Sequence, residues 1–122
     1  MNELQFRIDC LDGSYCFSCR KENNLVYDTD TNIEGLENVQ GELDEARTDE
    51  FEKYLKEAQI EKWDEEYSGE NPIEDGIRWS LVYIDENREL KCRGIESFEP
   101  YNFEYLLKAI KLCDKQLEYF GW

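Results

Sequence analysis

The chain contains no histidine, so triads and metal sites that rely on imidazole are excluded from the start. Neither Gly-x-Ser-x-Gly nor Gly-Lys-Ser/Thr occurs, which removes the usual hydrolase elbow and the phosphate-binding loop. No run of about 18 apolar residues exists, and the start MNELQFRIDC lacks a basic then apolar leader. A cytoplasmic location is expected. Basic residues are also scarce, with 14 Lys and Arg against 30 Asp and Glu for a net charge of −16. A field of that sign repels nucleic acid and draws basic partners, so direct nucleic-acid binding is not expected. Paired carboxylates are unavoidable by chance among 30 acids and do not by themselves indicate acid–base catalysis, so the expectation is a non-enzymatic binding protein.

What the chain does have is aromatic mass. Its 3 Trp, 8 Tyr and 6 Phe in 122 residues supply large buried areas despite a modest apolar fraction. The length suits one domain, residues 1–122. Five cysteines in a reducing compartment point to free thiols or metal ligands rather than a disulfide framework.

The excess charge is concentrated. From Asp28 to Asp75 there are 18 acids against four bases, Arg47, Lys53, Lys56 and Lys62, a net of −14. The segments on either side contribute −1 each.

Leu4, Phe6, Ile8 and Cys10 alternate with polar residues, as do Tyr15, Phe17 and Cys19, which is the period of half-buried strands. Asp12-Gly13 lies between them and favours a two-residue type I′ turn. That turn sets Cys10 opposite Tyr15, Ile8 opposite Phe17 and Phe6 opposite Cys19. In such a ladder Cys10 and Cys19 are separated by roughly 13 Å along the strands, and Cys16 points the other way. Thiols so placed cannot meet at the roughly 2.3 Å Zn–S distance. An alternative zinc site made of Cys10, Cys16, Cys19 and Cys92 needs the hairpin to break into a knuckle around Cys16-Phe-Ser-Cys19.

Leu25-Val-Tyr27 extends the sheet. Asp28-Thr-Asp30-Thr-Asn32 resembles half a calcium loop but has Ile33 where glycine is wanted, and is expected to be a solvated turn and strand end. Helical spacing of Phe51, Tyr54, Leu55 and Ala58 follows, with Asp44, Asp49, Glu50 and Glu52 crowding the first turns. Glu61 to Tyr67 reads as a helix end or linker that packs its rings on the sheet, and Ser68 to Pro72 as a loop. A second hairpin runs from Ile77 to Ile95 with its turn at Glu86-Asn87, which sets Tyr83 opposite Leu90, Leu81 opposite Cys92 and Trp79 opposite Gly94. Pro100 and Asn102 introduce a last helix carrying Phe103, Leu106, Leu107, Ile110, Cys113 and Leu117, with Lys108, Lys111 and Lys115 outward. The fold expected is α+β, an antiparallel sheet of two hairpins, about five strands, packed against two helices.

The segment Trp63…Tyr67…Asp75-Gly76-Ile-Arg-Trp79-Ser-Leu81…Lys91-Cys-Arg-Gly94…Pro100-Tyr-Asn102-Phe103 resembles a group of small proteins from low-GC Gram-positive bacteria and their phages. The resemblance covers about half the chain and rests on folding residues, so it implies an antiparallel sheet with helices. In size, acidity and lack of enzymatic signatures, the chain is also similar to phage-encoded anti-CRISPR inhibitors of the type II RNA-guided nuclease. That similarity implies an inhibitor that binds a basic, nucleic-acid-handling surface of a protein partner. The residues expected to bind are the carboxylates Asp44, Glu50, Glu57, Asp64 and Glu65, with Trp63 and Tyr67 as aromatic anchors. The alternatives are an immunity protein that neutralises a basic nuclease toxin by the same electrostatics, and a small zinc-stabilised binding module.

Overall fold

A computed structural model describes residues 1–68, 76–96 and 98–122. The fold is α+β, with one mostly antiparallel sheet and all its helices on one face. The strands are β1 (Glu3–Cys10), β2 (Gly13–Lys21), β3 (Leu25–Thr31), β4 (Gln40–Glu42), β5 (Glu66–Tyr67), β6 (Arg78–Asp85) and β7 (Arg88–Ile95). They lie in the order β4-β3-β2-β1-β6-β7-β5. The two expected hairpins and third strand are therefore flanked by two short edge strands that carry too few residues to show a period. The last of these, β5, pairs parallel to β7, the one exception to the antiparallel pattern among the described residues.

The second hairpin has the expected register, with Tyr83 opposite Leu90, Leu81 opposite Cys92 and Trp79 opposite Gly94. The first is shifted by two residues. Cys10 pairs with Gly13, Ile8 with Tyr15, Phe6 with Phe17 and Leu4 with Cys19, so the turn falls at Leu11-Asp12. Gly13 has φ +134, and a Cβ there would lie 2.3 Å from the Asn32 side chain, whose oxygen accepts from the Ser14 amide at 2.8 Å. A shift of two preserves every inward and outward assignment, whereas a shift of one would reverse them all. Leu4, Phe6, Ile8, Tyr15, Phe17 and Cys19 are accordingly all buried on one face.

Helix α1 (Glu45–Ala58) starts where the Asp44 side chain accepts from the Arg47 amide, and ends at Gln59 in the left-handed region at φ 54. Its buried stripe is Thr48, Phe51, Leu55 and Ala58. Thr48 fastens it to the sheet, its hydroxyl accepting from the Leu25 amide at 3.1 Å and donating to the Leu43 carbonyl. Phe51 packs on Phe17, with ring centres 6.5 Å apart.

Helix α2 (Phe103–Lys111) follows Asn102 and buries Phe103, Leu106, Leu107, Ala109 and Ile110. Phe103 lies against Phe6, Trp79 and Trp122. The continuous helix expected through Leu117 is divided. Asp114 breaks it and caps a separate 3-10 helix, Lys115–Phe120, by accepting from the Gln116 amide. Lys108 and Lys115 are exposed as expected, while Lys111 is half-buried and donates to the carbonyl of Trp122. The expected loop from Ser68 to Pro72 and the Asp75 of the Asp-Gly pair lie outside the described residues, apart from Ser68 itself. No helix among the described residues is long and apolar enough to cross a membrane.

Candidate acidic interface

Helix α1 leads from the β4 edge of the sheet to the β5 edge, and this path distributes the carboxylates. Residues 28–44 carry six acids and no base, α1 carries five acids and three bases, and residues 61–68 carry four acids and Lys62. The charge is thus densest at the two opposite edges of the sheet, joined by a helix of mixed charge. Six inter-strand steps of about 4.8 Å put those edges about 29 Å apart.

Of the fifteen acids from Asp28 to Glu66, fourteen are exposed; Glu52 is half-buried. Only Glu52 and Glu66 have ion-pair partners among the described residues, Lys21 at 3.1 Å and Arg93 at 3.8 Å. The remainder are exposed and form no ion pair among the described residues.

The expected binding residues fall into three places. Asp44 sits at the β4 edge, and its carboxylate is engaged in the cap of α1 at 2.8 Å from the Arg47 amide. Glu50 and Glu57 project from the exposed face of α1 with Lys53 between them, a spacing at which unlike charges attract along the helix. Trp63, Asp64, Glu65 and Tyr67 gather at the β5 edge. The chain is fixed there, because the Asp64 amide donates to the Tyr67 hydroxyl at 2.7 Å and the Trp63 indole donates to the Ala58 carbonyl at 2.9 Å. Trp63 packs on Phe103 and Tyr67 stacks on Trp79. Both rings are half-buried and already serve the fold. Asp44 and Glu57 are about 20 Å apart at helical rise, so the candidate residues form a belt around the helix and not one patch.

The cysteines are free. Cys16 lies on the open face, opposite Arg7, while Cys19 and Cys92 are buried on the core face in different strands. Cys19 faces Leu4, six residues from Cys10, so about 20 Å separates those two thiols along the ladder. Burial pushes the Cys16, Cys19 and Cys92 thiols up from their ordinary range, which favours the protonated form over the thiolate a metal needs. Among the described residues, no group of three or more Cys, Asp or Glu is placed to hold a metal ion.

Two features escaped the sequence. One is the open face of the sheet, where Glu3, Gln5, Ser18, Val26, Asp28 and Val82 surround a groove of about 1090 Å³. The other is a buried polar junction. Asp114, 5% exposed, accepts from the Tyr15 hydroxyl at 2.8 Å and from the Gln116 amide at 3.0 Å. Gln116 in turn exchanges hydrogen bonds with the Glu37 backbone.

No protein family model matches the chain, and no curated protein matches it.

Proposed function

We propose that this chain is a non-enzymatic acidic protein that binds a basic, nucleic-acid-handling surface on a protein partner and blocks it. The observation that carries the reading is that, of the carboxylates from Asp28 to Glu66, all but Glu52 and Glu66 are exposed and without an ion-pair partner among the described residues. Held on a sheet edge, along a helix and on the opposite edge, they offer spaced negative charges to Lys and Arg much as a phosphate backbone does. The belt favours an extended basic groove over a single pocket, because its ends lie too far apart for one cationic side chain to reach both. Trp63 and Tyr67 contribute shape at one end of the belt and hold its backbone.

The partner proposed first is the type II RNA-guided nuclease, whose inhibition would follow from occupying the groove that admits DNA. The test is a DNA-cleavage assay with the guide-loaded nuclease, run beside a basic nuclease toxin domain. Inhibition of the first, relieved by excess DNA, supports the reading. Inhibition of the toxin alone moves the chain to the immunity class, and inhibition of neither removes the proposal.

A further inference from the structure

β5 pairs with β7 only at Arg93 and Gly94, so the outer side of β7 from Arg88 to Cys92 has no neighbouring strand among the described residues. Strand geometry says which of its groups are free. The Arg93 amide points outward and donates to the Glu65 carbonyl at 2.9 Å, and because backbone direction alternates along a strand, the N–H and C=O of Lys91 and Glu89 point outward too. Those four groups have no hydrogen-bond partner among the described residues.

A cleft runs beside this stretch. Residues 63–65 diverge from β7, held by the bonds of the Asp64 amide to Tyr67 and of the Trp63 indole to Ala58. They leave about 240 Å³ against the edge, lined by Trp63, Glu65, Glu89, Leu90, Lys91 and Cys92. Trp63 and Leu90 are half-buried and Cys92 is buried. Among the charges, Lys91 lies 3.9 Å from Glu89 and Arg93 3.8 Å from Glu66, while Arg88 stands opposite Asp85 at the hairpin turn. Asp64 and Glu65 are exposed and form no ion pair among the described residues. Burial raises the Cys92 thiol, and the Glu65 and Asp64 carboxylates raise it further, so their negative field reaches into the cleft.

We infer that this edge receives an extended segment of the basic partner, which adds a strand to β7 at Glu89 and Lys91, seats an apolar side chain on Trp63 and Leu90, and brings a Lys or Arg to Asp64 and Glu65. An extended backbone is the occupant because it offers donors and acceptors at strand spacing, whereas a helix has spent its own. The inference rests on the reading of the chain as a binder of basic protein surfaces, and it gives Trp63, Asp64 and Glu65 their place in that binding.

The test titrates the isotope-labelled chain with an end-capped heptapeptide, Lys-Val-Lys-Val-Lys-Val-Lys, and with the same peptide N-methylated throughout, which keeps the charge and removes the backbone donors. Strand addition moves the Glu89 and Lys91 amides, slows their hydrogen exchange, and is at least tenfold weaker for the methylated peptide. Lys91→Pro removes one outward N–H without touching the β6 ladder, and it weakens binding at least tenfold while Lys91→Gln changes it less than threefold. Dispersed amide spectra of both variants establish that they fold. Equal binding of the two peptides, or shifts that bypass Glu89 and Lys91, overturns the edge and leaves the wider acidic reading standing. No binding of either peptide also overturns the edge, and the wider reading then stands or falls on the cleavage assay with the guide-loaded nuclease. Protection of Glu89 and Lys91 in a sedimenting dimer without peptide overturns the assigned occupant in favour of a second copy.

Discussion

The hydroxyl of Tyr15 donates a 2.8 Å hydrogen bond to the carboxylate of Asp114, 99 residues further along the chain and buried. This bond ties the middle of the sheet to the junction between α2 and the final 3-10 helix. Burial and the carboxylate together push the Tyr15 phenol up, burial being the larger cause.

Replacing Tyr15 with Phe leaves Asp114 one donor short in a dry site. A hydrogen bond to a charged group contributes about 1.5–3 kcal/mol, so Tyr15→Phe is expected to lower unfolding stability by about 2 kcal/mol in a denaturant titration. A loss below about 0.5 kcal/mol would show that the junction is not what holds the C-terminal segment.

Gly94 marks a different kind of constraint. A Cβ at this position would lie 2.7 Å from both the Trp79 ring and the Tyr67 carbonyl. Gly94→Ala is therefore expected to cost about 1–3 kcal/mol through overpacking and to separate β5 from β7, raising amide exchange at Arg93, whose N–H donates to the Glu65 carbonyl at 2.9 Å. Unchanged exchange there would contradict the packing role.

The contrast between the hairpins shows what the sequence could convey. Period-two alternation determines which face a residue occupies, and every face assignment in both hairpins agrees with the structure. It does not determine register to better than two residues, since a shift of two repeats the same pattern. Trp79 and Gly94 identify each other as a bulky and a small partner, so the second register was legible. The first depends on Asn32 meeting Gly13, a contact made only after β3 returns. The division of the last helix likewise depends on Tyr15, far from Asp114 in sequence. The position of the acidic segment in the chain was legible, but its spread over two sheet edges was not, because that follows from the path of α1 and from strands too short to show a period. The open-face groove required knowing that both helices choose the same side.

The thiols provide a metal and pH prediction. Burial raises the Cys19 thiol, and it raises Cys113 to about 12, so the folded chain holds these protons more tightly than the unfolded chain does. Their contribution is present in full below the ordinary thiol range near pH 9 and is lost as pH rises toward 12. Stability measured by denaturant should fall across that window, with a smaller slope in Cys113→Ser. Protein purified without added zinc should contain far less than one zinc per chain, with Cys19 and Cys92 slow to react with a thiol reagent until denaturant is added. One zinc per chain, lost with Cys16→Ser, would contradict the ladder.

The most direct measurement of the central proposal is the affinity of the chain for the guide-loaded type II nuclease as salt is raised, compared with the variant carrying Glu50→Lys, Glu57→Lys, Asp64→Lys and Glu65→Lys. Exposed charge pairs contribute about 0.2–1 kcal/mol each, and reversal also adds repulsion. The account predicts binding that weakens steeply with salt and falls at least tenfold in the variant while its circular dichroism is unchanged. Absence of binding, or an affinity indifferent to both salt and charge reversal, would contradict it.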